Sequence, residues 1–94
     1  MATEVVNDVS MNRYELLVDG ASTGFADYQV RDNTIVFIHT EIDPATRTKG
    51  LDSELVRGAL NLVRAETDYR VVASCPFTSQ WINAHPDYQD LLTR

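Results

Sequence analysis

The chain has 94 residues, a size that sustains one core and excludes two lobes with separate cores. Its 14 acidic residues against 8 basic ones give a formal net charge of −6, which argues against nucleic acid or an anionic membrane as partner and favours cationic ones. No apolar run approaches the ~20 residues of a membrane-spanning helix, and the first residues lack the basic and apolar regions of a secretion signal. The one cysteine, Cys75, excludes an intrachain disulfide and suits a reducing, cytoplasmic setting. With no Cys/His cluster, no metal site is expected.

Residues 1–11 are weakly patterned and read as a flexible tail ahead of a single domain over residues 12–94. From Asn12 the pattern sharpens. Tyr14, Leu16 and Val18 alternate with mostly polar neighbours, which predicts a strand. Asp19-Gly20 is a hairpin signal, and Ala21 to Arg31 follows with Gly24, Ala26, Tyr28 and Val30 on one face. Asp32-Asn33 predicts a second tight turn. Thr34 to Thr40 is then a third strand, apolar on both faces through Ile35-Val36-Phe37-Ile38 as a central strand is.

After Pro44 the period changes. Leu51, Leu55, Ala59 and Leu62/Val63 recur at spacings of three and four, which predicts an amphipathic helix from near Gly50 to near Thr67. Asp52 and Glu54 suit the positive end of its dipole. A short strand at Arg70 to Ser74 follows, then Cys75-Pro76, a short helix from Thr78 to Ala84 capped by Thr78 or Ser79, and one last turn at Asp87 to Leu92. The fold class is therefore α+β: an antiparallel three-stranded meander, a helix, a parallel strand and a short C-terminal helix. A right-handed crossover makes strands 34–40 and 70–74 parallel. Ligands of open α/β sheets collect at the carboxyl ends of such strands, here the 41–50 loop and Cys75-Pro76-Phe77.

That loop carries Arg47 and Lys49 and ends in Gly50 at a helix N-terminus, whose free N–H groups suit a phosphate. The plainer alternative is an ordinary connection with solvated bases. Arg47-x-x-Gly50-x-Asp52 resembles the acyl-CoA loop of the GNAT superfamily of N-acetyltransferases. Phe37-Ile38-His39-Thr40-Glu41, Gly50-Leu51-x-Ser53-x-Leu55-Val56, Val71-Val72-x-x-Cys75-Pro76-Phe77 and Ile82-x-x-His85-Pro86-x-Tyr88 extend the likeness, over roughly residues 12–92, to the compact single-domain GNAT-like proteins.

The resemblance implies a truncated GNAT-like fold that binds acetyl-CoA and transfers the acetyl group to an amine acceptor. It puts the pyrophosphate on Arg47, Thr48, Lys49, Gly50, Leu51, Asp52 and Ser53, and the pantetheine arm between strands 34–40 and 70–74. Asp52 departs from the pattern, which has Gly or Ala there so that the backbone approaches the pyrophosphate closely. The competing reading is a non-catalytic CoA-binding or protein-interaction module with the same fold.

Cys75 at the mouth of the strand pair is an acid toward the leaving CoA thiolate, an acyl carrier, or a small buried hydrophobe. His39 alternates with Ile35 and Phe37 and is expected on their face, as a structural histidine or as the general base. Glu41 is the second candidate base, acting through water, or a solvated carboxylate. His85 and Tyr88 read as structural, with Tyr88 packed on the sheet, the alternative being a catalytic role in which the Tyr88 phenol protonates a thiolate. Trp81 and Phe77 read as core, and Arg57 and Arg64 as a solvated helix face.

Overall fold

Two hairpins set the frame. Asp19-Gly20 and Asp32-Asn33 take φ of 49°, 86°, 51° and 59°. Positive φ at both central residues is the turn whose twist matches paired strands, and Asp, Asn and Gly are the residues that tolerate it. The computed structural model describes residues 2–46 and 50–94. Its strands are β1 (Thr3–Asp8), β2 (Arg13–Val18), β3 (Ala21–Arg31), β4 (Thr34–Ile42) and β5 (Arg70–Ala73). Helix α1 (Leu51–Glu66) lies between β4 and β5, and α2 (Pro76–Asn83) and a 3₁₀ segment (Pro86–Thr93) follow.

The strands form one sheet in the order β1-β2-β3-β4-β5, antiparallel throughout except for the parallel β4–β5 pair. The architecture is α+β, consistent with a truncated GNAT-like fold. The helical layer covers one face of the sheet. Leu51, Leu55, Val56, Ala59, Leu60 and Val63 of α1 are buried there against Tyr14, Leu16, Ala26, Tyr28, Ile35 and Phe37. Each large apolar side chain so buried contributes about 1.5–3 kcal/mol. Among the described residues no helix is long and apolar enough to cross a membrane.

The expected tail over residues 1–11 is replaced by strand β1, which pairs with β2 from Thr3↔Val18 to Asp8↔Arg13. Four contacts fix it. The Ala2 N–H donates to Asp19 Oδ1 at 2.9 Å and the Asp19 N–H donates to Ala2 O at 2.8 Å. The Tyr28 hydroxyl donates to Asn7 Oδ1 at 2.6 Å. Val5 lies over Gly58 of α1, where an added Cβ would stand 2.8 Å from Val5 Cβ. A glycine inside a helix costs about 1 kcal/mol relative to alanine; here it lets the edge strand sit against the helix. The second helix also begins earlier than its sequence suggests, at Pro76, with Cys75 and not Thr78 or Ser79 in the capping position. Proline suits the first turn, where its missing N–H has no intrahelical partner to lose.

Gly58→Ala should therefore lower stability, by about 1–3 kcal/mol, because an overpacked contact outweighs the gain in helix propensity. Pairing it with Val5→Ala should recover part of the loss. Thermal unfolding of the two variants checks this; a more stable Gly58→Ala would show that β1 is not packed on the helix.

Candidate active site

Strands β4 and β5 pair from Thr34↔Arg70 to Phe37↔Ala73 and then part. The chain turns away from β4 at Ser74 and Cys75, whose N–H groups both donate to the Phe37 carbonyl, at 2.9 and 3.0 Å. β4 runs on to Ile42 paired with β3 alone. Beyond Phe37 the two strands are no longer paired, which leaves a gap between them, and α2 begins directly after Cys75.

The two sides of this gap carry different chemistry because the alternation of β4 breaks inside it. Tyr28 pairs with Phe37 but Asp27 with His39, so Ile38 is an extra residue on β4. Such a bulge reverses which face the following residues take. His39 therefore does not share the face of Ile35 and Phe37, as plain alternation predicts. It stands on the helix-free face with Glu41, its Nε2 3.5 Å from Glu41 Oε1, both side chains more than half exposed. Phe25 lies behind it, with ring centroids 6.2 Å apart. Arg13, on the same face, covers the Phe25 ring at 4.1 Å and sits 3.2 Å from Asp27.

Thr40 and Ile42 take the helix side in consequence. The Thr40 hydroxyl lies 3.5 Å from Cys75 Sγ. Cys75 is buried. Burial pushes the thiol up, but the Thr40 hydroxyl and the Thr78 and Phe77 N–H groups pull it down, and the net result is a thiol below its ordinary value. The Thr78 hydroxyl is buried with no hydrogen-bond partner of good geometry, so it is not counted among them. The capping position at a helix N-terminus favours the thiolate in the same sense. Cys75 is thus a buried, ionisable thiol beside Thr40 on the helix side of β4, and His39 an exposed imidazole on the other side. The sequence reading did not single out Thr40, because only the bulge at Ile38 turns it toward Cys75.

The expected phosphate cradle lies at the N-terminus of α1. Arg47, Thr48 and Lys49 fall outside the described residues. Gly50 takes φ +91°, and among the described residues nothing lies within 4 Å of where a Cβ would stand. Leu51 is buried in the core, so only its backbone is available. Asp52 folds its carboxylate onto the helix end, Oδ1 accepting the Ser53 N–H at 2.8 Å. One first-turn donor is thus already occupied by an anion. The Ser53 hydroxyl accepts from Trp81 Nε1 at 2.7 Å, tying α1 to α2.

The residues read as plainly structural or solvated form a seam along α1. Trp81 stacks on His85, with centroids 3.7 Å apart, and His85 Nδ1 lies 2.6 Å from the Trp81 carbonyl. Arg57 lies over the Trp81 ring at 5.4 Å. The Tyr88 hydroxyl donates to Asn61 Oδ1 of α1 at 2.8 Å, and its ring is buried in the common core, edge-on to Trp81 with centroids 5.0 Å apart. Arg64 is not simply solvated: it forms a two-pronged pair with Asp90, at 2.7 and 2.9 Å. Among the described residues no group of His, Cys, Asp and Glu is placed to hold a metal ion.

A family model described as GCN5-related N-acetyl-transferase matches residues 13–91. The match begins at β2 and leaves out β1. A comparison with curated proteins gives no match at all.

Thr40→Val keeps the side-chain shape and removes its hydroxyl. Cys75 should then titrate higher, and its alkylation at neutral pH should slow several-fold, since the thiolate is the reacting form. Iodoacetamide labelling across pH measures this. A rate profile that does not move would show that Thr40 has no hold on the thiol.

Proposed function

Because the chain belongs to the GCN5-related N-acetyltransferases, we propose that it transfers an acetyl group from acetyl-CoA to an amine. The observation that carries this reading is the gap beyond Phe37, with Cys75 and Thr40 on one side and His39 with Glu41 on the other. A thioester laid along the β4 edge has an acid on its sulfur side and a base on its open side.

His39 takes the proton that keeps the incoming amine protonated, with Glu41 holding the imidazole or acting through water. The free amine attacks the thioester carbonyl. N–H groups of β4 that β5 no longer pairs stabilise the oxyanion as it forms. The carbon–sulfur bond then breaks. The lowered Cys75 thiol gives its proton to the leaving thiolate, and the proton shed by the acylated nitrogen restores it. A reducing, cytoplasmic compartment keeps Cys75 in the thiol form this role needs.

The pyrophosphate takes the α1 N-terminus, the backbone of Gly50, Leu51, Asp52 and Ser53, with Arg47, Thr48 and Lys49 ahead of it. Asp52 opposes it there. Its charge has the sign of the ligand, and its carboxylate holds the Ser53 N–H. At about 6 Å and an effective dielectric near 20 each phosphate charge is repelled by up to ~3 kcal/mol, and screening cuts this to about 0.5–1.5 kcal/mol. Asp52 is the observation that favours the second reading, a weak CoA-binding or protein-interaction module without turnover.

Two measurements decide between them. With acetyl-CoA and a panel of amines, His39→Ala should slow transfer by roughly 10²–10⁴ at nearly unchanged CoA affinity. A folded His39→Ala at full rate would remove His39 from the chemistry, and no transfer by the wild type would favour the module. Asp52→Gly should tighten CoA several-fold at low salt by calorimetry. It should also lower thermal stability slightly, because the first-turn acid contributes about 0.3–1 kcal/mol. Weaker or equal affinity would place the phosphates elsewhere.

A further inference from the structure

Thr78, expected at the cap of α2, lies instead inside its first turn, three residues after Cys75. It is 1% exposed. Its hydroxyl is buried and has no hydrogen-bond partner among the described residues. A water does not supply one: the space beside Thr78, walled by Ala26, Phe37, Val56, Ala59 and Leu60, is apolar and too small to admit a water molecule. Burying a hydroxyl unpaired costs stability, so such a group in a folded chain calls for an explanation. The Cys75 sulfur supplies one. It lies within reach of the Thr78 hydroxyl, although no hydrogen bond of good geometry joins them. Side chains at the cap and at the third helical position meet across the first turn.

We infer that Thr78 is a positioning residue for Cys75: its hydroxyl, unpaired beside the thiol, swings to donate to the sulfur when Cys75 becomes a thiolate. The backbone around the sulfur is fixed. The Cys75 N–H donates to the Phe37 carbonyl at 3.0 Å, and the Cys75 carbonyl accepts the Ser79 N–H at 3.0 Å. What changes on ionisation is the direction of the O–H bonds nearby. Thr40 flanks the sulfur from β4 at 3.5 Å, and Thr78 flanks it from α2. A thiol is satisfied by one hydroxyl, whereas a thiolate is a stronger acceptor and takes several donors. Helix α2 packs against α1, β4, β5 and the 3₁₀ segment, whose charged groups are engaged elsewhere. His39 and Glu41 stand on the other face of β4, and Arg70 lies at the far end of β5. Asp52 faces the Ser53 N–H, Arg57 the Trp81 ring, and Asp90 pairs with Arg64. Stabilising the thiolate therefore falls to neutral donors. The catalytic part of the inference rests on the acetyltransferase reading. There the carbon–sulfur bond breaks with its electron pair on the CoA sulfur, the Cys75 proton passes to that sulfur, and Cys75 is left as a thiolate. Thr78 donates its hydrogen bond at that moment and gives up no proton. The proton shed by the acylated nitrogen then restores the thiol, and the Thr78 hydroxyl is unpaired again.

Cys75 is the chain's one cysteine, so isotope labelling of cysteine gives a single Cβ signal in the NMR spectrum that titrates with this thiol. Thr78→Val keeps the shape of the side chain and removes its hydroxyl, and Thr78→Ser keeps the hydroxyl. In Thr78→Val the midpoint should move to higher pH, and the thiolate fraction below the midpoint should fall about three- to tenfold. Thr78→Ser should titrate as the wild type does. Thr78→Val should also melt at or above the wild-type temperature, because it removes a buried polar group that has no partner. An unchanged midpoint in Thr78→Val, or a midpoint that Thr78→Ser fails to hold, would overturn the inference. So would a lower melting temperature or a failure of Thr78→Val to fold, since the hydroxyl would then have a partner in the resting protein. With acetyl-CoA and a panel of amines, Thr78→Val should lower kcat about three- to tenfold at nearly unchanged KM for acetyl-CoA. An unchanged kcat beside a shifted midpoint would overturn its part in the reaction. The expected midpoint shift with no transfer by the wild type would support the hold on the thiolate and overturn the acetyltransferase reading.

Discussion

The Phe37 carbonyl accepts two N–H groups, from Ser74 and Cys75, and the site depends on that shared acceptor. It ends a parallel strand that is only four residues long and directs the chain into α2. A longer β5 would pair the rest of β4 and fill the gap. Because β5 stops, β4 keeps an open edge, and Cys75 takes the capping position of a helix that begins at once with proline. One hydrogen-bonding arrangement thus creates the cleft and puts the ionisable thiol at its mouth.

The bulge at Ile38 does the complementary work. A regular β4 would place His39 in the core with Ile35 and Phe37, and Thr40 on the open face. Slipping one residue exchanges them. The imidazole goes to solvent, where an amine can meet it, and the hydroxyl goes to the thiol. On the acetyltransferase reading proposed above, the two faces of the sheet take separate tasks, the helical layer on the side of the leaving sulfur and the uncovered face on the side of the acceptor.

Much of this organisation is written in local signals. The two hairpin turns follow from Asp-Gly and Asp-Asn, whose tolerance of positive φ is a property of the residues themselves. Helix α1 follows from its apolar spacing, and its observed span of Leu51–Glu66 stays within a residue of the expected ends. The family likeness, carried by Cys75-Pro76-Phe77 and its companions, agrees with the family match over residues 13–91. What stayed hidden depends on partners distant in sequence. Strand β1 is recognisable only once Val5 is set against Gly58 and Asn7 against Tyr28. The face of His39 is invisible to a period of two, because a bulge leaves the composition of the strand unchanged. The seam of Trp81, His85 and Tyr88 on α1 pairs Ser53 and Asn61 with residues almost thirty positions away.

The central claim is that the gap between β4 and β5 holds the thioester, with Cys75 and His39 on opposite sides of it. A crystal structure of the protein with CoA tests this most directly. The account predicts the CoA sulfur beside the β4 edge beyond Phe37, within hydrogen-bonding reach of Cys75 Sγ and facing away from the His39 imidazole. A sulfur lying outside that gap, or a CoA molecule bound on another surface, would contradict it.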